Sequence, residues 1–90
     1  MSLETRSLIA TFRTSHDALR AEREVRNGGI EAELIPVPRE IASDCGFCLL
    51  MPEKEGRAAV PGIDAESAWL VAESRIGEGL RKEKRYERIA

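Results

Sequence analysis

A chain of 90 residues holds one small core, so a large multi-substrate active site is excluded and a partner subunit would add stability. Apolar residues are 42% and charged residues 33% of the chain, enough for one globular core under a charged surface and too apolar for a disordered segment. A net charge of -2, from 14 basic and 16 acidic residues, excludes a dominant nucleic-acid footprint. The local cluster Arg81-Lys82-Glu83-Lys84-Arg85 reads as a solvated helix end or loop.

The first residues, Met-Ser-Leu-Glu-Thr-Arg, contain no basic segment leading into an apolar run, and no stretch approaches the roughly 20 apolar residues that span a bilayer. The expectation is a single cytoplasmic domain over residues 1–90, without membrane or nucleic-acid partners. In a reducing compartment, two cysteines three positions apart point to a reactive thiol, a metal ligand or an inert core residue before a structural disulfide.

In chain order, Ser7-Leu8-Ile9-Ala10-Thr11-Phe12 is short and rich in β-formers, which predicts a first strand. Thr14 is placed to cap a following helix, with Asp17 three residues on and His16 in the first turn. Ala18, Leu19, Ala21 and Val25 recur at helical spacing, and Asn27-Gly28-Gly29 stops the helix because glycine readily takes the left-handed conformation just past a helix end.

Ile30, Ala32 and Leu34 alternate with Glu31 and Glu33, the pattern of a strand with one face buried. Pro36 and Pro38 end it by removing ladder donors, so a loop spans about residues 37 to 45. Phe47-Cys48-Leu49-Leu50-Met51 is a continuous apolar run between Gly46 and Pro52, which predicts a central strand. Residues 52 to 63 read as an irregular connection. Asp64 then caps a predicted second helix with Ala65, Ala68, Trp69, Ala72 and Ile76 along one face, where Trp69 serves packing. Tyr86-Glu87-Arg88-Ile89 is a final short strand.

The order is βαββαβ, which predicts an α+β, ferredoxin-like sandwich: a four-stranded antiparallel sheet with two helices on one face. In that arrangement the end of the first strand lies beside the start of the third. Three pieces of chain then meet at one sheet edge: the first helix's N-terminus with Thr14 and His16, the loop with Arg39, and Cys45 beside Asp44 and Gly46.

A thiolate is the nucleophilic form of cysteine, and a helix N-terminus or a nearby cation favours it. Arg39 is the candidate fixed positive charge. His16 is cast as a hydrogen-bond partner or proton acceptor, because the helix N-terminus disfavours imidazolium. In an extended segment residues three apart face opposite ways, so Cys45 and Cys48 need not pair. Cys45 is the better nucleophile and Cys48 reads as a small buried hydrophobe. One histidine and two cysteines are a short ligand set for zinc or an iron-sulfur cluster, so no metal and no cofactor is expected within one chain.

The run from Thr11 to Glu22 with Thr14, His16 and Asp17, then Gly29-Ile30, then Leu34 to Gly46 with Pro36-Val37-Pro38-Arg39-Glu40 and Cys45-Gly46, resembles the selenium/sulfur carrier-like family of small proteins. The resemblance covers the first half to two thirds of the chain. It implies a carrier, transferase-like at most, that holds sulfur or selenium on Cys45 as a persulfide or perselenide. Cys45, His16 and Arg39 then carry the chemistry, and Thr14, Asp44, Gly46 and Cys48 surround the cargo. The implied partners are a donor protein such as a cysteine desulfurase and an acceptor protein, and a homodimer is compatible with both.

Two alternatives stay open at this stage. One is a non-catalytic ferredoxin-like binding or oligomerisation module that pairs through its open sheet face, where Cys48 and Leu50 would leave apolar surface to cover. The other is a dimer that binds a metal through the cysteines of both copies.

Overall fold

The computed structural model describes residues 3–41, 46–76 and 81–90. The chain runs β1 (Leu3–Thr11), α1 (Ser15–Asn27), β2 (Glu33–Pro36), β3 (Phe47–Pro52), α2 (Glu53–Ala59), a 3-10 turn (Val60–Gly62), β4 (Ser67–Ile76) and β5 (Arg81–Arg88). The strands form one five-stranded sheet in the order β2-β3-β1-β4-β5, and every neighbouring pair is antiparallel.

The α+β class and two helices are as the sequence pattern leads one to expect, but the four-stranded sheet is corrected to five strands. The predicted second helix over 64–76 is instead β4. Its apolar residues fit a helical stripe equally well on paper. What decides is that neighbours face opposite sides: Ala68 joins the helix-side core and Trp69 packs against the opposite core. Only a strand presents adjacent residues to two layers. β4 also makes the longest ladder of the sheet, from Leu3↔Arg75 to Thr11↔Ser67 against β1.

The crossover helix is found earlier, in the stretch read as irregular. Pro52 ends the β3 ladder, and Glu53 and Glu55 occupy the first turn of α2, where carboxylates complement the helix dipole. Arg57 Nε closes on Glu53 Oε2 at 3.1 Å one turn away. Gly56 lets the helix lie close to β1: a Cβ there would stand 3.0 Å from the Cβ of Leu8, so a side chain at 56 would press its neighbours aside by a few tenths of an ångström. The final strand extends back from Tyr86 to Arg81, so the basic cluster read as a helix end or loop is an edge strand.

α1 starts as its sequence indicates: the Thr14 side chain accepts the Asp17 N–H at 3.1 Å. It stops at Gly28, and Gly29 follows at φ 84°, in the left-handed region that glycine enters without a Cβ penalty. The helix buries Ala18, Ala21 and Val25 against Leu8, Ala10, Phe12, Leu49 and Met51 of the sheet. On the other face Ile9, Cys48 and Val71 pack with Ile41, and Ile35, Val37, Leu50, Trp69 and Tyr86 adjoin them.

Candidate functional site

The register fixes what meets at the candidate edge. Thr11 near the end of β1 is flanked by Cys48 of β3 on one side and Ser67 of β4 on the other, and Ile35 of β2 stands beyond Cys48. α1 begins four residues after Thr11, and β3 begins at Phe47, opposite Pro36. The β1–β3 antiparallel pairing therefore brings the start of α1 and the start of β3 to one end of the sheet.

The connection between β2 and β3 is pinned at its base. Val37 N–H donates to the Gly46 carbonyl at 3.1 Å, one step beyond the last ladder pair. Within it, Ile41 N–H donates to the Pro38 carbonyl at 3.1 Å, making a turn with Arg39 and Glu40 at its centre. Ile41 is only 4% exposed and lies against Ile9, Cys48 and Val71. The turn therefore folds back over the sheet face opposite α1, and it covers part of the face that the sequence pattern left open.

Placement of the expected residues follows. Cys45 and Asp44 lie outside the described residues. Gly46 is exposed, and a Cβ there would meet nothing within 4 Å, so packing does not demand a glycine. His16 is exposed in the first turn of α1, and Thr14 is engaged as its cap. Arg39 is exposed on the turn. The structure does not gather His16 and Arg39 onto one face, because α1 packs on one side of the sheet while Val37 and Ile41, which bracket Arg39, pack on the other.

Cys48 is fully buried, and its thiol points to the Pro36 carbonyl at 3.9 Å. Burial of this kind makes a thiol part of the core and closes it to bulky partners. Among the described residues no group of three or more His, Cys, Asp or Glu is placed to hold a metal ion.

Sequence reasoning missed a buried polar row next to Cys48. The hydroxyls of Thr11 and Ser67 share a short hydrogen bond of 2.5 Å in which either can donate, and Trp69 Nε1–H donates to Ser67 Oγ at 2.9 Å. Thr11 is 0% and Ser67 6% exposed, so this chain of bonds satisfies groups that would be costly to bury alone. Nothing in the sequence joins residues 11 and 67; the β1–β4 register does.

Tyr86 on β5 also faces this layer. Burial chiefly pushes its phenol above the ordinary tyrosine value, and negative charge on Glu40, Cys48 and Glu73 acts in the same direction. The influence of Glu40 agrees with a turn that crosses the sheet toward β5.

The fold and this end of the sheet define a small α+β protein with one thiol sealed in the core and a second in the connection that leads into β3. A family model described as Putative Se/S carrier protein-like matches residues 7–61, from β1 through α2 into the 3-10 turn. The chain belongs to this family. No curated protein and no solved structure matches it. β4 and β5 lie beyond the matched span. Among the described residues, no helix is long and apolar enough to cross a membrane.

Proposed function

We propose that the chain is a sulfur or selenium carrier whose cargo atom is held on Cys45. The observation that carries this reading is the burial of Cys48, the one thiol of the family span among the described residues. Cys48 is 0% exposed and packed among Ile9, Val71 and Ile41, so a carrier that must meet two proteins in turn has Cys45 as its available thiol. The residues that follow Cys45, Gly46 and Phe47, are exposed.

The chemistry needs one thiolate and no external oxidant. The Cys45 thiolate attacks the terminal sulfur of a donor's persulfide; a new S–S bond forms, the donor's S–S bond breaks, and the electron pair leaves on the donor cysteine as thiolate. In delivery an acceptor nucleophile attacks the same terminal sulfur and Cys45 departs as thiolate. The sulfur moves at the same oxidation level throughout, and a perselenide follows the same two steps with selenium as the transferred atom. The donor is a protein of the cysteine desulfurase kind.

Arg39 supplies a permanent positive charge that favours anionic sulfur near the turn. His16, exposed in the first turn of α1, is a hydrogen-bond partner at the same end of the sheet. Thr14 acts through the helix start that it caps, and Asp44 and Gly46 flank the thiol in sequence.

Intact-mass and peptide-mapping spectrometry after incubation with a cysteine desulfurase and cysteine tests the reading. One added sulfur on the Cys45 peptide is expected, absent from Cys45→Ser and retained in Cys48→Ala. An adduct that survives in folded Cys45→Ser protein overturns it.

A further inference from the structure

The geometry points to an interface for a second copy of this chain along the outer edge of β5. This is a different surface from the open sheet face, and it does not depend on the carrier reading. The two edges of the sheet differ. β2 is four residues long and ends in Pro36, with Pro38 just beyond, so that edge is closed to added strands. β5 is eight residues long and has no proline.

The direction of the β5 main chain follows from its pairing. Ala68 N–H donates to the Ala90 carbonyl at 3.2 Å, and the Ala68 carbonyl accepts from Ile89 and Ala90 N–H at 2.9 and 3.3 Å. The polar groups of Ala68 thus point toward β5. By the alternation of an antiparallel strand, so do those of Leu70, Ala72 and Ser74, which stand opposite Glu87, Arg85 and Glu83. The N–H and carbonyl groups of Lys82, Lys84, Tyr86 and Arg88 consequently face away from β4, along the outer edge.

Charge on such an edge usually guards against strand addition. Among registers centred on positions 83 to 86, only one avoids repeated like-charge pairs. In a two-fold antiparallel pairing with matched faces, an axis through position 83 sets Glu83 against itself and Lys82 against Lys84. An axis through 85 sets Arg85 against itself and Glu83 against Glu87, and one through 86 sets Lys84 against Arg88.

An axis through Lys84 sets Glu83 against Arg85 twice and Lys82 against Tyr86 twice. The Glu83–Arg85 pairs fall at the positions without backbone bonds, where side chains come closest. The Lys82–Tyr86 pairs bring a cation to an aromatic ring. The outward groups of residues 82, 84 and 86 then form about six hydrogen bonds between copies, two for each bonded pair. The like pair on the axis is single and solvent-exposed, and Glu73, opposite Lys84 in register and paired with Lys82 Nζ at 3.9 Å, places negative charge on the same stretch.

Within the chain, Glu83 stands opposite Ser74 and Arg85 opposite Ala72, neither of them ionisable. Exchanging the two charges keeps the net charge of β5 and leaves the 83–85 pairs across the axis complementary. The assembly would run five strands from each copy into one sheet, with β2 at each outer end.

Sedimentation equilibrium over about a hundredfold concentration series at low salt is the test, with circular dichroism to check folding. A reversible dimer that dissociates as salt rises is expected. Glu83→Arg raises the dissociation constant about tenfold or more, and Glu83→Arg with Arg85→Glu restores it. With oxidised glutathione as the disulfide donor, Lys84→Cys forms a disulfide between copies that maps to position 84 in both peptides, with reduced glutathione released, while Glu87→Cys, away from the axis, does not. A monomer throughout the series, a dimer indifferent to Glu83→Arg, or a dimer without the Lys84→Cys cross-link overturns the proposal.

Discussion

Replacing Cys48 by alanine separates the core thiol from the proposed carrier thiol, and its cost follows from the packing. The side chain is 0% exposed among Ile9, Val71 and Ile41, so deleting the sulfur removes one fully buried atom. An atom of that size is worth about 0.8 kcal/mol of transfer free energy. A residual cavity of about 20 Å³ adds about 0.5 kcal/mol at about 24 cal/mol per Å³. The expected loss is about 1.3 kcal/mol, which lowers Tm by about 5–10 °C for a domain of this size. Urea unfolding followed by circular dichroism measures the first quantity, and sulfur loading by mass spectrometry measures the function. Cys48→Ala should be less stable and fully loaded, whereas Cys45→Ser should be unloaded. Loading lost in a folded Cys48→Ala protein, with stability unchanged, would refute the reasoning from burial.

Further predictions concern the polar row and Tyr86. Ser67→Ala leaves the Thr11 hydroxyl and the Trp69 N–H without their shared partner in a buried layer, so it should cost about 1–3 kcal/mol in chemical denaturation. Combined with Thr11→Val, the loss should fall below the sum of the single changes, because an apolar pair leaves fewer orphaned groups. Tyr86 has its phenol raised by burial and by negative neighbours, so the folded state keeps the proton longer than the unfolded chain does. Its contribution is fully present below the ordinary tyrosine value of about 10 and is lost as pH rises through the folded value. Tyrosinate absorbance should show a midpoint above that of the urea-unfolded protein. Tyr86→Phe should flatten the alkaline fall in stability, and an equal or lower midpoint in the folded state would contradict the burial of the ring among negative neighbours.

Local chemistry made part of this fold legible. Thr14 and Asp17 mark a helix start because a hydroxyl can satisfy a free amide three residues on, and Gly29 marks its end because the chain turns there at a positive φ that only glycine takes without strain. The apolar run at Phe47–Met51 and the prolines at 36 and 38 likewise announce a strand and where its neighbour stops. Position 64 onward reads as a helix because Ala65, Ala68, Trp69, Ala72 and Ile76 satisfy helical spacing, whereas a strand packed on both faces shows no simple alternation. Short apolar runs leave that ambiguity, and only the layers above and below resolve it. α2 was missed because a seven-residue helix bearing Gly56 has little periodicity of its own and is held by its approach to Leu8.

The sequence by itself determined that this is an α+β chain with a capped first helix, a central strand containing Cys48, and a cysteine in the connection before it, and its motifs carried the family resemblance that residues 7–61 bear out. Those features rest on bonds and periodicities a few residues long. Only the tertiary structure decided that 67–76 is a strand, that a fifth strand lengthens the sheet, that Ile41 carries Arg39 to the face opposite His16, and that Thr11, Ser67 and Trp69 form one buried row. Each depends on residues far apart in the chain, and their proximity arises from strand register and from burial on two faces, neither of which any local stretch encodes.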